Sequence, residues 1–372
     1  MDRPLAARRA AILTAAWTIG IPVAAAIALV VTWERDLPVL GVIVTALLLV
    51  GAVLAAVHHA EVVAHRVGEP FGSLVLAVSV TVIEVALIIT LMIGGKGTET
   101  LARDTAFAAV MITLNGIIGI SLLLGGMRHG LPRFNREGAG AALAVVATLT
   151  TLTLVLPAFT VSEDDGRFTP LQLAFVAIAS LVLYAAFIAT QTRGHRDFFL
   201  PVGLDGKLLD RDGDGHADPP TNRATAVSAA LLLVALVAVV GLAKAVSPAI
   251  ETGVAAAGIP NSFVGVVIAL LVLLPEGLAA SKAALRNRMQ TSLNLAIGSS
   301  IATIGLTIPA IAVASIFLPG PLVLGLGPVQ IALFAITLIV AALSVIPGRA
   351  TRLQGIVHLV LFLAFVFLAI AP

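Results

Sequence analysis

Glu84 and Glu276 each stand inside a long apolar run, Phe71 to Ile93 and Phe263 to Ala280, whereas the other eighteen of the twenty acids fall in loops or at the ends of such runs. A carboxylate at the centre of a bilayer costs about 2.5 to 3.5 kcal/mol on insertion scales. An acid kept there marks a functional site or is protonated and hydrogen-bonded to a neighbouring helix. Glu84 follows Phe71 by thirteen residues and Glu276 follows Phe263 by thirteen, with Gly72 and Gly265 nearby, so the two acids occupy matching places in an internal repeat. Two carboxylates can neutralise one dehydrated divalent cation. Left empty, they are raised in pKa by desolvation and mutual repulsion and titrate as a coupled pair, so they take up protons. A site of this kind crosses the membrane carrying metal or protons and never bare, which is obligatory exchange without any bond chemistry. Calcium suits it, because calcium accepts about six to eight oxygens in irregular geometry while magnesium demands an octahedron. Sodium remains open.

Further oxygens lie close in sequence. Ser79 and Thr81 precede Glu84; Asn115 sits in Met111-Ile-Thr-Leu-Asn-Gly116; Ser299, Ser300 and Thr303 sit in Gly298-Ser-Ser-Ile-Ala-Thr303. Each reads equally well as a small polar residue that lets membrane helices approach. Pro275 has no amide hydrogen, so its ring disturbs the preceding turn and frees the Leu271 carbonyl as a further candidate ligand. His58, Glu61, His65 and Glu69 fall at helical spacing, either as a cytoplasmic gate for protons and cations or as an ordinary polar helix end at the lipid headgroups. In the loop before Arg223, Asp210, Asp212 and Asp214 followed by Gly215 mimic the start of an EF-hand, with Asp218 beyond. Thr221 stands where the bidentate glutamate belongs and Pro219-Pro220 interrupts the exiting helix, so the alternatives are a regulatory calcium loop and a solvated acidic turn.

The elements that must position these residues are membrane helices. The chain has 372 residues, of which 59% are hydrophobic and 11% charged, with a mean hydropathy of +1.09, far from the roughly half apolar and quarter charged make-up of soluble domains. Runs long enough to span, about 20 residues each, number eleven: Ala10 to Val31, Val39 to Val57, Phe71 to Ile93, Ala106 to Leu124, Ala139 to Val161, Leu171 to Thr190, Ala224 to Ala243, Phe263 to Ala280, Leu293 to Leu318, Leu322 to Ile346 and Ile356 to Ile370. The first, at 22 residues, exceeds a secretory signal core of about 7 to 15 and reads as an uncleaved span. The expected fold is therefore all-α and polytopic: an extra first helix (1–36), a five-helix repeat (37–192), a cytoplasmic acidic loop (193–223) and a second five-helix repeat (224–372). An odd number of helices per repeat turns the second repeat upside down, which brings matched helices face to face near the midplane. With the N-terminus inside, seventeen of the 22 lysines and arginines fall in inner loops and five outside. The positive-inside rule thus sets a cytoplasmic N-terminus and an external C-terminus.

The same residues carry a family resemblance. His58-His-Ala-Glu-Val-Val-Ala-His-Arg-Val-Gly-Glu-Pro-Phe-Gly72, running on to Glu84, resembles the ChaA-type bacterial calcium/proton antiporters. Pro275-Glu-Gly-Leu-Ala-Ala-Ser-Lys282 and Ser292-Leu-Asn-Leu-Ala-Ile-Gly-Ser-Ser300 resemble the second repeat of the cation/calcium exchanger superfamily. The resemblance implies one extra helix plus two inverted five-helix repeats, Glu84 and Glu276 at the acidic transport positions, and Asn115 with Ser299 or Ser300 as neighbouring ligands. One departure stands out: Val80-Thr-Val-Ile-Glu84 replaces the Gly-Asn-x-x-Glu pattern of many superfamily members, and ChaA-like proteins are associated with calcium, sodium and potassium, so the ion stays open. Partners are inorganic cations, protons and lipid, with no cofactor. Nucleic-acid binding has no aromatic and basic interleaving to support it. An intramembrane enzyme finds no Gly-x-Ser-x-Gly or His-Glu-x-x-His motif. A passive channel would conduct without proton coupling.

The chain has no cysteine, which makes single cysteines clean reporters of orientation. Asp164→Cys should react with an impermeant maleimide in intact cells, and Asp212→Cys only after the membrane is opened.

Overall fold

A backbone amide or carbonyl facing hydrocarbon has no water to bond, so each apolar run must close its hydrogen bonds on itself as a helix. A computed structural model bears this out; it describes residues 3–33, 35, 37–67, 71–94, 98–194, 198, 220–318 and 320–372, with side chains omitted at 3–16, 71–74, 76, 94, 193–194 and 251. Glu69 and the stretch 210–218 lie outside the described residues. The helices are α1 (Arg3–Thr32), α2 (Val39–Val67), α3 (Phe71–Gly94), α4 (Leu101–His129), α5 (Arg136–Ala158), α6 (Pro170–Thr192), α7 (Asn222–Ala256), α8 (Ser262–Leu285), α9 (Met289–Ala314), α10 (Pro328–Val345) and α11 (Arg352–Ile370). Nine of these, among the described residues, are long and apolar enough to cross a membrane, and Trp17–Thr32 and Ala77–Ile93 form shorter apolar stretches in α1 and α3. The chain is an all-α polytopic membrane protein, one extra N-terminal helix followed by two five-helix series.

The helix ends follow local chemistry. Asn135 caps α5 by accepting from the amides of Glu137 and Gly138, and Thr169 with Gln172 forms a capping box around Pro170 at the start of α6. Thr351 and Gln354 repeat that device on α11. Where spans differ from the apolar runs, polar residues extend the helix. The second run stops at Val57, yet α2 continues through His58 and Arg66 to Val67, because leaving hydrocarbon does not oblige a helix to end. The tenth begins later than its apolar run: Leu322 to Gly327 is non-helical, and Pro328 supplies the first helical turn of α10.

The described residues fall into two compact units, 1–96 with 218–253, and 97–217 with 254–372. In the first, α2 packs on α1 and α3, and a ring nitrogen of His59 lies 2.9 Å from the Thr18 carbonyl oxygen on α1. In the second, α4 packs on α8, α9 and α11, and α9 also covers α5 and α6. Loops of this unit are stitched together: the Phe134 amide donates to the Gly348 carbonyl at 3.0 Å, and the Leu324 and Gly325 amides both donate to the Gly166 carbonyl, at 3.1 and 2.8 Å. Asp104, an acid at a span end, is itself buried in the first turn of α4. It is satisfied by the Arg103 guanidinium at 2.9 Å and the Thr100 hydroxyl at 2.8 Å, while Arg103 also donates to the Gly325 carbonyl at 3.0 Å.

The α4–α11 contact depends on a missing side chain. A Cβ on Gly355 would stand 2.6 Å from the Leu123 amide nitrogen and 2.8 Å from the Gly119 carbonyl oxygen. Backbone on two successive turns of α4 blocks it, so Gly355→Ala should destabilise the protein by about 1–3 kcal/mol, visible as a lower thermal unfolding midpoint in detergent.

Candidate functional site

Glu84 lies on α3, in the first unit, and is 2% exposed. Thr81, one turn earlier, is buried. Ser79 is half-buried, its hydroxyl donating to the Val75 carbonyl at 2.8 Å; this back-bond occupies its proton and leaves its oxygen lone pairs able to accept. On α2, His58 is half-buried, its ring tilted against Trp17 at 5.7 Å and edge-on to His59 at 5.5 Å between centroids, while Glu61 and His65 are exposed. Those three share a face at i, i+3 and i+7, and His59 turns the other way into the packing with α1.

The second unit holds the remaining sequence candidates. Glu276 is half-buried on α8, which runs unbroken through Pro275. Proline still lacks a donor, so the helix offers the Leu271 carbonyl no fourth-residue amide. The helix facing α8 is not regular. Between Ile112 and Ile117, α4 opens into a π turn, and α9 does so between Thr303 and Thr307. A π turn carries one extra residue, re-aims side chains and is common at functional sites. These two turns occupy the third helix of each five-helix series.

The first π turn gathers neighbours from four helices. Ile117 lies 3.6 Å from where a Cβ on Gly277 would be, so α8 presents the step beside Glu276 to this turn. Thr113 donates to the Ala109 and Val110 carbonyls, at 2.7 and 3.0 Å, and its oxygen is hydrogen-bonded to the Ser300 hydroxyl of α9. Asn115 is fully buried; its amide nitrogen donates to Thr337 Oγ1 at 2.9 Å, and its carbonyl oxygen lies 3.2 Å from His358 Nδ1. Thr303 is buried in the second π turn, while Ser299 is half-buried. A Cβ on the neighbouring Gly298 would meet nothing within 4 Å, so space lies open beside that glycine. Among the described residues no three His, Asp or Glu side chains gather as a metal cluster. A cation held in this unit would therefore draw on hydroxyl and carbonyl oxygens beside a carboxylate.

The family model described as sodium/calcium exchanger protein matches residues 37–193 and 227–371. The chain belongs to the sodium/calcium exchanger family. The exchanger is 45% identical over 364 residues to a candidate ionic transporter, y4hA, of Sinorhizobium fredii, covering 96% of each chain. It is 35% identical over 335 residues to the sodium-potassium/proton antiporter ChaA of Escherichia coli, covering 89% of this chain and 90% of the relative. Among solved structures, native YfkE superposes with a TM-score of 0.72 at 16% identity over 95% of this chain and 100% of the other. The H+/Ca2+ exchanger CAX gives 0.67 at 16% identity, over 93% and 86%. These two likenesses show that the chain shares the fold of those two solved proteins. Members of the family are transporters, and the exchanger is a multi-pass membrane protein of that kind.

Sequence reasoning passed over Thr113, Thr337, Ser344 and His358. His358 was open to the same test as the glutamates, because it is a titratable residue within an apolar run; that test was confined to acids. The π turns had no sequence signal, since an inserted residue in a helix made of apolar side chains leaves the composition unchanged. If the Thr113–Ser300 bond carries weight, Thr113→Val and Ser300→Ala in a double-mutant cycle should show a coupling of about 0.6 kcal/mol, up to about 1.7, read from unfolding midpoints.

Proposed function

We propose that the chain is a secondary active antiporter that exports calcium from the cytoplasm in exchange for protons by alternating access, with Glu84 and Glu276 as the groups that hold cation and proton in turn. The observation that carries this reading is the burial of Glu84, 2% exposed in an apolar membrane helix, matched by Glu276 at the equivalent place in the second series. A carboxylate there is stable only when neutralised. Protonated, it crosses as an acid; deprotonated, it requires a cation. Coupling then follows from charge balance, and no bond is made or broken.

Ser79 and Thr81 on the helix of Glu84, and Asn115, Ser299, Ser300, Thr303 and the Leu271 carbonyl in the unit of Glu276, are the neutral oxygens proposed to complete a calcium shell of about six to eight ligands. His58, Glu61 and His65 on α2 would serve the cytoplasmic approach. The membrane is the bacterial inner membrane, with the N-terminus inside. A second reading, sodium or potassium exchange for protons on the same fold, is favoured by the relative named as a sodium-potassium/proton antiporter and by the absence of the Gly-Asn pattern before Glu84.

Everted vesicles with an internal pH dye, held at clamped membrane potential and given calcium, sodium and potassium in turn, test both readings. Calcium should drive proton movement, and Glu84→Gln and Glu276→Gln should each abolish it while the protein still inserts and folds. Full activity in either variant would sink the two-glutamate mechanism. Proton movement with sodium or potassium and none with calcium would establish the second reading.

A further inference from the structure

His358 is a fully buried histidine in the middle of α11, and nothing in the proposed transport chemistry uses it. The ring is hydrogen-bonded to the Leu114 backbone and to two side chains, and the surroundings fix the direction of the side-chain bonds. The chain of contacts starts at Met111, whose sulfur can only accept: it lies 3.8 Å from Asn115 Nδ2 and 3.7 Å from Thr337 Oγ1. The end of the Asn115 side chain beside that sulfur must therefore be the NH2 end, which also donates to Thr337 Oγ1 at 2.9 Å. Thr337 accepts this bond and directs its own proton to the sulfur. The other end of Asn115 is then the carbonyl oxygen. An oxygen cannot donate, so His358 Nδ1, 3.2 Å away, carries the ring proton. His358 Nε2 is left as an acceptor, and the Ser344 hydroxyl, 3.1 Å away, donates to it. All five groups are satisfied with a neutral imidazole of one tautomer, and Asn115, Thr337 and His358 are fully buried, so no water competes.

We propose that His358 is a positioning residue of the exchanger, acting through Asn115. Asn115 lies inside the π turn of α4, and that turn packs against α8 at Gly277, the residue after Glu276. An asparagine amide presents either an attractive oxygen or a repulsive NH2 to a cation, and the two are nearly equal in shape. With His358 donating to one end and Thr337 accepting from the other, a single orientation is held. Asn115 Oδ1 keeps one lone pair beyond the one His358 occupies. Through the same two bonds the extra residue of the π turn is pinned to α10 and α11, which holds the turn in place beside the Glu276 step. Without His358 the amide is free to turn over and the π turn to shift, so cation affinity falls while the carboxylate chemistry persists.

This inference rests on the antiporter reading, and the test separates the two. Wild type, His358→Leu, His358→Asn and Thr337→Val are compared in proteoliposomes for calcium-driven proton movement, and in detergent for the calcium concentration that half-saturates thermal stabilisation. His358→Leu removes the donor. His358→Asn returns an N–H close to the place of Nδ1. Thr337→Val removes the acceptor without changing shape. His358→Leu should raise KM for calcium about tenfold with kcat within about twofold, His358→Asn should recover most of that loss, and Thr337→Val should raise KM in the same direction. The half-saturating concentration in detergent should move in parallel. An unchanged KM in His358→Leu overturns the proposal. So does an equal loss of kcat and melting temperature in His358→Leu and His358→Asn, which would make His358 a packing residue. Should His358→Leu fail to fold, an unchanged KM in Thr337→Val overturns it. Wild type that is stabilised by calcium but moves no protons contradicts antiport instead, and the detergent series then still decides the role of His358.

Discussion

A carboxylate in hydrocarbon has too little dielectric around it to remain bare, and the whole arrangement depends on how that charge is answered. Water cannot do it where Glu84 is 2% exposed. A proton or a metal ion can, and on the proposed reading the choice between them is set by concentration on whichever side the site faces. Asp104 is an acid whose charge is answered within the fold. It too is buried, but at a helix end with a guanidinium at 2.9 Å and a hydroxyl at 2.8 Å, a fixed partner set that makes it a structural anion tying Arg103 to the Gly325 carbonyl.

On the proposed reading, neutral oxygens around a transported cation have to be brought close and kept in order, and backbone irregularity in the second unit is suited to that end. A regular α-helix commits its carbonyls and repeats its side chains every 3.6 residues. The π turn at Ile112–Ile117 breaks that repeat and sends Thr113 to α9 and Asn115 to α10 and α11. Small residues then let the surrounding helices approach: Gly277 admits Ile117, and Gly355 admits the backbone of α4 at Leu123 and Gly119. Lipid offers no hydrophobic drive between helices, so close packing and interhelical hydrogen bonds carry the specificity.

Much of this was legible in the sequence because the membrane imposes harsh rules. Eleven spans, two acids out of place and a thirteen-residue match from Phe71 to Glu84 and from Phe263 to Glu276 all follow from apolar length and the price of a buried charge. Helix ends were less legible. Val57 closes the second apolar run, but backbone hydrogen bonding continues α2 ten residues further through polar side chains. Legibility failed inside the helices. The π turns and the directed chain from Ser344 through His358 and Asn115 to Met111 arise from which helix faces which, information that no linear spacing holds. Asn115 was visible as a polar residue near the acids, yet its partners Thr337 and His358 are more than two hundred residues away along the chain.

The central claim is that one set of carboxylates holds either protons or metal, and proton release on metal binding reports it most directly. Detergent-solubilised protein in weakly buffered solution at a pH where the empty site is protonated should acidify the medium when calcium chloride is added. The release should saturate with calcium binding measured in parallel and approach about two protons per calcium, one from each carboxylate. Calcium that binds with the same stoichiometry while releasing no protons would mean that metal and proton occupy separate groups, and would contradict the account.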